Sequence, residues 1–132
     1  MRVMLDTNVI ISYILFKNET MEMFYNYVLN NEELVISNYI IDELKEVFKR
    51  KFKDKIYVLD AFLNDLDIES ISIDMINDLQ LFEIRDQGDY PILYSAIVGN
   101  VDIFITGDED FKSVVIEKPK IMTISEYMNY YM

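Results

Sequence analysis

Short apolar runs alternate along the chain with longer segments whose apolar residues recur at helical spacing. The apolar runs predict buried strands over residues 3–5, 34–36, 101–105 and 120–123. Helical spacing predicts helices over residues 8–16, 20–29, 39–52, 55–66 and 90–98, and a last helix capped by Ser125. Alternation over residues 70–73 predicts one further strand, whereas residues 74–85 show no clear period.

Small polar residues mark where several of these helices begin. We expect Thr7 or Asn8 to cap the first helix and Ser37 or Asn38 to cap the third. Asp89 occupies the N-cap position of the helix that precedes residues 101–105. These helices therefore have a local start signal next to a predicted strand or turn.

Strands that alternate with helices are typical of a mainly parallel sheet with helices on both faces. The sequence therefore predicts an α/β fold whose central sheet has about four to five strands. No linker or internal repeat divides the sequence, so we expect residues 1–132 to form one domain.

The residue types that are missing narrow the possible chemistry. The 132 residues include no Cys and no His, which excludes disulfides, thiolate or imidazole zinc ligands and a Ser-His-Asp triad. Catalysis would have to use carboxylates, hydroxyls, amides, Lys or Arg. No apolar stretch is long enough to span a bilayer and no signal peptide is evident, so we expect a cytoplasmic protein with no membrane contact.

Several acids fall where parallel strands end. Asp6 follows the first strand, and Asp108 follows the strand at 101–105. Asp89 begins the helix before that second strand. Because right-handed crossovers bring the carboxyl ends of parallel strands to one edge, we expect these three acids to meet there. Glu43 lies on the flank of the apolar stripe of the third helix and can lean over the same edge.

Each of these acids also has a structural interpretation as a helix cap, a turn residue or an exposed side chain. Gathered at one edge they need compensation, since two carboxylates about 4 Å apart repel by roughly 4 kcal/mol at an effective dielectric constant of about 20. Either protonation or a divalent cation would supply it, and oxygen ligands alone favour Mg²⁺ or Mn²⁺. Such an ion, held by carboxylates and water, is typical of phosphodiester hydrolysis.

The order of these motifs resembles that of the PIN domain family, and most closely that of the prokaryotic PIN proteins assigned as toxins of toxin–antitoxin systems. The resemblance covers nearly the whole chain. It rests on Leu5-Asp6-Thr7-Asn8, on Glu43, on Asp89 before an apolar helix and on Thr106-Gly107-Asp108-Glu109-Asp110-Phe111. Each motif alone is common, whereas the four in this order and spacing are specific.

The resemblance implies a PIN-like three-layer sandwich and an endoribonuclease that depends on Mg²⁺ or Mn²⁺, with RNA as substrate and an antitoxin as partner. It implies a catalytic and metal-binding set of four acids: Asp6, Glu43, Asp89 and Asp108. It further implies that Asp110 is an outer or second-metal acid. Supporting roles fall to three polar residues that orient carboxylates or water: Thr7, Asn8 and Thr106.

The third acid departs from the family pattern. Many family members carry paired acids where this chain has Gly88-Asp89-Tyr90. Asp89 therefore stands alone unless Asp86 takes the second place.

A homodimer is the expected assembly of a small domain with apolar helix surfaces.

The net charge of −12 is unusual for a protein that contacts phosphates. Half of the twelve basic residues lie in one short segment: Lys45, Lys49, Arg50, Lys51, Lys53 and Lys55. This basic strip is either a solvated helix end or a surface along which RNA approaches. A basic antitoxin segment that covers the acids would also be compatible with the negative net charge of the chain.

Two other functions stay open on the sequence alone. A carboxylate- and Mg²⁺-dependent phosphatase or phosphotransfer domain needs an Asp two residues after its aspartyl nucleophile, and this chain has Asn8 there. A non-catalytic binding module with the same fold would use its Tyr- and Met-rich segments, residues 21–29 and 127–132, as partner surfaces. The complete set of acids favours the ribonuclease.

Overall fold

Five parallel strands form the centre of the structure, a computed structural model that describes residues 1–65 and 67–132. The strands are β1 (Arg2–Leu5), β2 (Glu33–Ser37), β3 (Ile68–Ile71), β4 (Ile103–Ile105) and β5 (Lys120–Met122). Their order across the sheet is β3-β2-β1-β4-β5, and every neighbouring pair is parallel. The α/β fold with a parallel sheet that the sequence predicts is thereby confirmed.

Seven α-helices accompany the strands in the described residues. They are α1 (Thr7–Phe16), α2 (Glu19–Asn31), α3 (Asn38–Lys51), α4 (Ile56–Leu63), α5 (Tyr90–Val98), α6 (Glu109–Lys112) and α7 (Ile124–Tyr131). Because crossovers between parallel strands are right-handed, α1–α4 cover one face of the sheet and α5, which leads from β3 back to β4, covers the other. In the part of the chain that the structure describes, no helix is long and apolar enough to cross a membrane.

The chain reverses its direction across the sheet between β1 and β4. The strands β1, β2 and β3 follow one another outward on one side, and β4 and β5 occupy the other side. Loops diverge at such a reversal and leave a crevice outside the carboxyl ends of the strands, where ligands bind in open α/β sheets. Asp6 and Thr106 are the residues that follow β1 and β4 at this crevice.

The two central strands are buried on both faces, which explains their continuous apolar sequence. Five of their residues are no more than 1% exposed: Val3, Met4, Ile103, Phe104 and Ile105. Close packing on both sides holds β1 and β4 in one register. The residues that follow these strands therefore have well-defined positions.

The first helix begins one residue earlier than predicted. Asp6, rather than Thr7 or Asn8, is its N-cap, because the Asp6 carboxylate accepts the backbone N–H of Thr7. The strand predicted over residues 70–73 also begins earlier, since it is β3 at Ile68–Ile71. Pairing with β2 decides its register, and the local sequence pattern does not contain that information.

The last helix begins before its predicted cap, Ser125. Its N-cap is Thr123, which exchanges side-chain and backbone hydrogen bonds with Glu126 in a capping box. The preceding strand, β5, therefore ends one residue earlier than predicted. The fourth helix ends at Leu63. Its predicted end at Leu66 lies outside the described residues.

Residues 72–86 form an irregular segment that side chains hold in place. The segment includes residues 74–85, which lack a readable period, and residues 72–73, which the sequence predicts as the end of a strand. The Asn38 amide bonds both backbone groups of Ile73, at 2.9 and 3.1 Å. The Tyr90 hydroxyl donates to the carbonyl of Asp78 at 2.8 Å and accepts the N–H of Leu81 at 3.2 Å. These contacts fix the path of the segment that leads into the 3₁₀ turn Gln87–Asp89, just before α5.

Candidate active site

Asp6 lies at the carboxyl end of β1, in the crevice between β1 and β4. Its side chain is 4% exposed, and its two carboxylate oxygens accept hydrogen bonds of 2.8 Å from the Thr7 backbone N–H and from the Thr106 hydroxyl. Burial, helped by the charges of Glu43 and Asp108, raises the pKa of Asp6 to about 6, although both hydrogen bonds oppose the rise. Asp6 is thus a buried, oriented carboxylate with other acids close by.

The loop after β4 positions two further aspartates. The Thr106 hydroxyl, which donates to Asp6, accepts the backbone N–H of Asp108 at 3.0 Å. The Asp108 carboxylate accepts the N–H of Asp110 at 2.9 Å and so caps α6. One continuous series of hydrogen bonds therefore links the acids at the ends of β1 and β4.

Asp89 occupies the predicted N-cap position of α5, but its side chain makes no capping hydrogen bond. The backbone of Asp89 is already helical at the end of the 3₁₀ turn, with φ −85° and ψ −11°. A residue whose side chain caps a helix usually has an extended backbone instead. Asp86 caps that turn instead, since its carboxylate accepts the N–H of Gly88 at 2.9 Å. The carboxylate of Asp89 is consequently free for another role.

Asp86, Asp89 and Asp110 form a compact acidic triplet. One carboxylate oxygen from each residue lies within 4.8 Å of the other two. The 3₁₀ turn and its N-cap contribute Asp89 and Asp86, and the first turn of α6 contributes Asp110, so the triplet joins two segments of the chain. The guanidinium of Arg85 lies 3.8 Å from the Asp110 carboxylate at the exposed side of the triplet.

The acidic cluster of the site consists of Asp89 and the four acids whose charges act on it: Asp6, Glu43, Asp86 and Asp108. Burial, followed in decreasing order by the charges of Asp86, Asp108, Asp6 and Glu43, raises the pKa of Asp89 to about 7. The acids predicted from the sequence therefore lie close enough to influence one another, together with Asp86. A carboxyl group with a pKa near neutrality can take up and release a proton under physiological conditions.

The remaining predicted residues occupy different parts of the site. Glu43 is half-buried on α3, whereas its neighbour Asp42 is exposed, as the helical spacing predicts. Thr7 is 2% exposed, and its side-chain oxygen has no hydrogen-bond partner among the described residues. Asn8 is exposed and lines a cavity beside Gly107. Thr106 supports the acids directly, as shown by its two hydrogen bonds, while Asn8 faces an adjoining surface.

A family model described as the PIN domain matches residues 2–110, which is more than half of the chain. The chain belongs to the PIN domain family. A crystal structure of VapBC2 from Rickettsia felis, bound to a DNA fragment from their promoter, contains a similar chain with a TM-score of 0.70 and 21% identity. The match covers 92% of this PIN domain and 97% of that chain, and it shows the shared fold. No curated protein matches the sequence.

The acidic cluster of this PIN domain fits a hard divalent cation. Its donors are carboxylate oxygens, which Mg²⁺ and Mn²⁺ prefer, and their mutual repulsion would be relieved by a cation. The unpartnered hydroxyl of Thr7 adds a buried oxygen next to Asp6. The residues present thus suit a metal centre held by acids and water.

The basic strip begins on α3 next to Glu43. All five residues predicted to contact RNA are exposed: Lys45, Lys49, Arg50, Lys51 and Lys53. The helical rise is about 1.5 Å per residue, so Lys49 lies about 9 Å along α3 from Glu43. Arg50 forms an ion pair with Glu46 at 2.9 Å. The strip therefore adjoins the acidic edge but does not neutralise it.

Two residues at the site go beyond the predicted set. The sequence left the role of Asp86 open, and the structure places it within the triplet. No sequence pattern singles out Arg85, which pairs with Asp110 across 25 positions of the chain. The spacing of Asp86 and Asp89, one tight turn apart, is the signal that joins these acids.

Proposed function

We propose that this PIN domain is a divalent-metal-dependent endoribonuclease, and that it acts as the toxin of a toxin–antitoxin pair in the cytoplasm. The observation that supports the nuclease is the convergence of acids from β1, α3, the 3₁₀ turn and the loop after β4 at one crevice. Their charges and burial raise the pKa of Asp89 to about 7 and that of Asp6 to about 6. A site so rich in carboxylates, with no His in the chain, is suited to metal-assisted hydrolysis.

In this proposal, four acids hold Mg²⁺ or Mn²⁺ directly or through water: Asp6, Glu43, Asp89 and Asp108. Asp86 and Asp110 complete the outer part of the centre. When bound, the ion would polarise the phosphoryl oxygen and make a water molecule more acidic. Asp89 or Glu43 accepts the proton that the attacking water loses.

The neighbouring hydroxyl and amide groups orient these acids. Thr106 holds Asp6 through its hydroxyl and fixes the start of the Asp108 turn through its oxygen. Thr7 offers its unpartnered hydroxyl to a water molecule or a phosphate oxygen beside Asp6. The backbone N–H groups of Thr7 and Asp110 keep two carboxylates in fixed rotamers.

The partners follow from charge and from the shared fold. With a net charge of −12, the chain needs a cationic surface to approach RNA, and the basic strip on α3 supplies one. The similarity to a chain of the VapBC2 complex supports an antitoxin as the protein partner. A basic segment of that antitoxin would match the acidic crevice, and a homodimer would present two such crevices.

Calorimetric titration with Mn²⁺ tests the metal centre. We expect the wild type to bind Mn²⁺, the Asp6→Asn/Asp108→Asn double variant to lose this binding, and Asp42→Asn to retain it as an exposed control next to Glu43. Binding that survives the double substitution would place the metal elsewhere. No binding by the wild type would favour a non-catalytic module with this fold.

Cleavage of a single-stranded RNA tests the activity. We expect cleavage with Mg²⁺ or Mn²⁺, none with EDTA, and a loss of at least about 100-fold in Glu43→Gln but not in Asp42→Asn. Equal activity of these two variants would contradict the assignment of Glu43. Cleavage that persists in EDTA would contradict the requirement for a metal.

A further inference from the structure

A cavity adjoins the acidic crevice on the side of β5. It encloses about 290 Å³ and lies between the first turns of α1, the start of α2 and the first turn of α7. Ligand pockets usually span about 300–1,000 Å³, so this cavity suits a single small group. The roles assigned to the acids do not use it.

The lining of the cavity is neutral and mixed. Three apolar side chains form part of its wall: Val9, Met21 and Ile124. Amide and hydroxyl groups border the rest, from Asn8, Ser12 and Ser125. Without Lys or Arg in its lining the cavity does not suit a phosphate, and without Asp or Glu it does not suit a basic side chain.

The position of the cavity ties it to the acids. Asn8 lies two residues after Asp6, and Gly107 lies between Thr106 and Asp108. Gly107 is exposed, and a Cβ atom at this position would meet nothing within 4 Å, so its backbone is open to a ligand. A group in the cavity is therefore next to any phosphate that the acids hold.

On the basis of the proposed function, we propose that this cavity binds the base of the nucleotide next to the cleaved phosphate. A nucleobase is flat, uncharged and apolar on its faces, and its edges carry hydrogen-bond donors and acceptors. The apolar side chains pack against the faces, as in enzymes that hold an unstacked base. The amide of Asn8 and the hydroxyls of Ser12 and Ser125 meet the edge, since amide and hydroxyl groups are common partners of base edges. The cavity therefore selects single-stranded RNA, whose bases are free to turn outward.

Titration with uncharged ribonucleosides tests the cavity without RNA cleavage. The probes are adenosine, guanosine, cytidine and uridine, each added to ¹⁵N-labelled protein without metal. We expect at least one nucleoside to shift the amide signals of Asn8, Ser12, Gly107 and Ser125, while ribose alone does not. No shifts with any nucleoside, or equal shifts with ribose, would overturn the proposal.

Matched variants sharpen this test. Ser125→Phe fills the cavity and should abolish the shifts, whereas Ser72→Phe adds the same ring at an exposed position outside the cavity and should leave them unchanged. Met21→Ala removes one apolar wall of the cavity and should weaken nucleoside binding by about tenfold. This variant replaces Ser125→Phe in the test if Ser125→Phe does not fold. Unchanged binding in a folded Ser125→Phe or Met21→Ala would overturn the proposal.

A further variant separates this inference from the proposed function. Asp108→Asn should lose RNA cleavage but keep nucleoside binding, because the base and the acids occupy separate parts of the crevice. Nucleoside binding without any cleavage by the wild type would support the base site while contradicting the nuclease. If a co-expressed antitoxin shifts the four amide signals and no nucleoside does, the cavity binds a protein segment and the proposal is wrong.

Discussion

The Thr106 hydroxyl donates a 2.8 Å hydrogen bond to the Asp6 carboxylate, although the two residues lie 100 positions apart. This contact joins the carboxyl ends of β1 and β4, the two strands between which the chain reverses direction. Both side chains are buried, with Asp6 4% and Thr106 1% exposed. The same hydroxyl accepts the N–H of Asp108, so one small side chain orders both aspartates.

Thr106→Val should destabilise the protein by about 1–3 kcal/mol, because a buried carboxylate oxygen and the Asp108 N–H both lose their partner. It should also weaken Mn²⁺ binding by about 10–100-fold, the usual effect of removing a group that orients metal ligands. Thr106→Ser keeps the hydroxyl and should retain most of both properties. Urea denaturation and calorimetry measure the two effects. Equal behaviour of the Val and Ser variants would show that the hydroxyl is unimportant.

The four acids that the sequence predicts lie near enough for their charges to act on Asp6 and Asp89, because their positions follow from local rules. Asp6 and Asp108 follow short apolar strands, and parallel strands share one carboxyl edge. Glu43 was placed by helical periodicity, which also separates it correctly from the exposed Asp42. Continuous apolar runs and patterns of period 3.6 carry this information within a few residues, so no tertiary contact is needed to read it.

The segment at residues 72–86 could not be predicted because tertiary contacts fix it. Its backbone bonds go to side chains on α3 and α5, such as Asn38 and Tyr90, and no periodic pattern marks such contacts. The position of Arg85 depends on this segment and was missed for the same reason. The helical backbone of Asp89, which takes its side chain out of the capping geometry, results from a 3₁₀ turn, rather than an extended residue, before α5.

The metal-free protein should become less stable as the pH rises from about 4 to about 8. The pKa of Asp89 is about 7 in the folded chain and 3.8 in its ordinary state, so between these values the folded state binds more protons than the unfolded state. Raising the pH therefore favours unfolding, and Asp6, with a pKa of about 6, acts in the same direction. Thermal melts in EDTA across this pH range measure the slope.

Asp89→Asn should reduce this slope and raise the melting temperature at alkaline pH by a few degrees, since it removes a charge that four other acids repel. Saturating Mn²⁺ should raise the melting temperature of the wild type at the same alkaline pH. Asp74→Asn, at an exposed position outside the cluster, is the control and should change neither property. A wild-type melting temperature that rises with pH would contradict the repulsion within the cluster.

Arg85→Gln should lower RNA affinity more than Arg50→Gln. The Arg85 side chain is 86% exposed and contacts the acidic triplet through Asp110, so its guanidinium lies where a substrate phosphate would enter. Loss of one phosphate contact reduces the slope of log affinity against log salt by about 1. Binding to single-stranded RNA, measured over a range of salt in the cleavage-deficient Asp108→Asn background, gives this slope. A larger effect of Arg50→Gln would show that RNA is held mainly by the basic strip.

Tyr90→Phe should loosen the segment that leads to Asp86. The Tyr90 hydroxyl bonds the carbonyl of Asp78 and the N–H of Leu81, while its ring stacks on Phe82 with centroids 4.3 Å apart. Removing the hydroxyl keeps the stack but leaves two backbone groups unpaired, at a cost of about 1–2 kcal/mol.

Hydrogen exchange is the most direct measurement of this loosening, because local opening exposes the Leu81 amide without global unfolding. Exchange at Leu81 should accelerate by about tenfold in Tyr90→Phe and stay unchanged in Tyr57→Phe, where the ring is 68% exposed. Mn²⁺ affinity should fall in the first variant alone, since Asp86 is the last residue of this segment. If exchange at Leu81 accelerates while Mn²⁺ affinity is unchanged, the segment is held by Tyr90 but Asp86 contributes nothing to the metal centre.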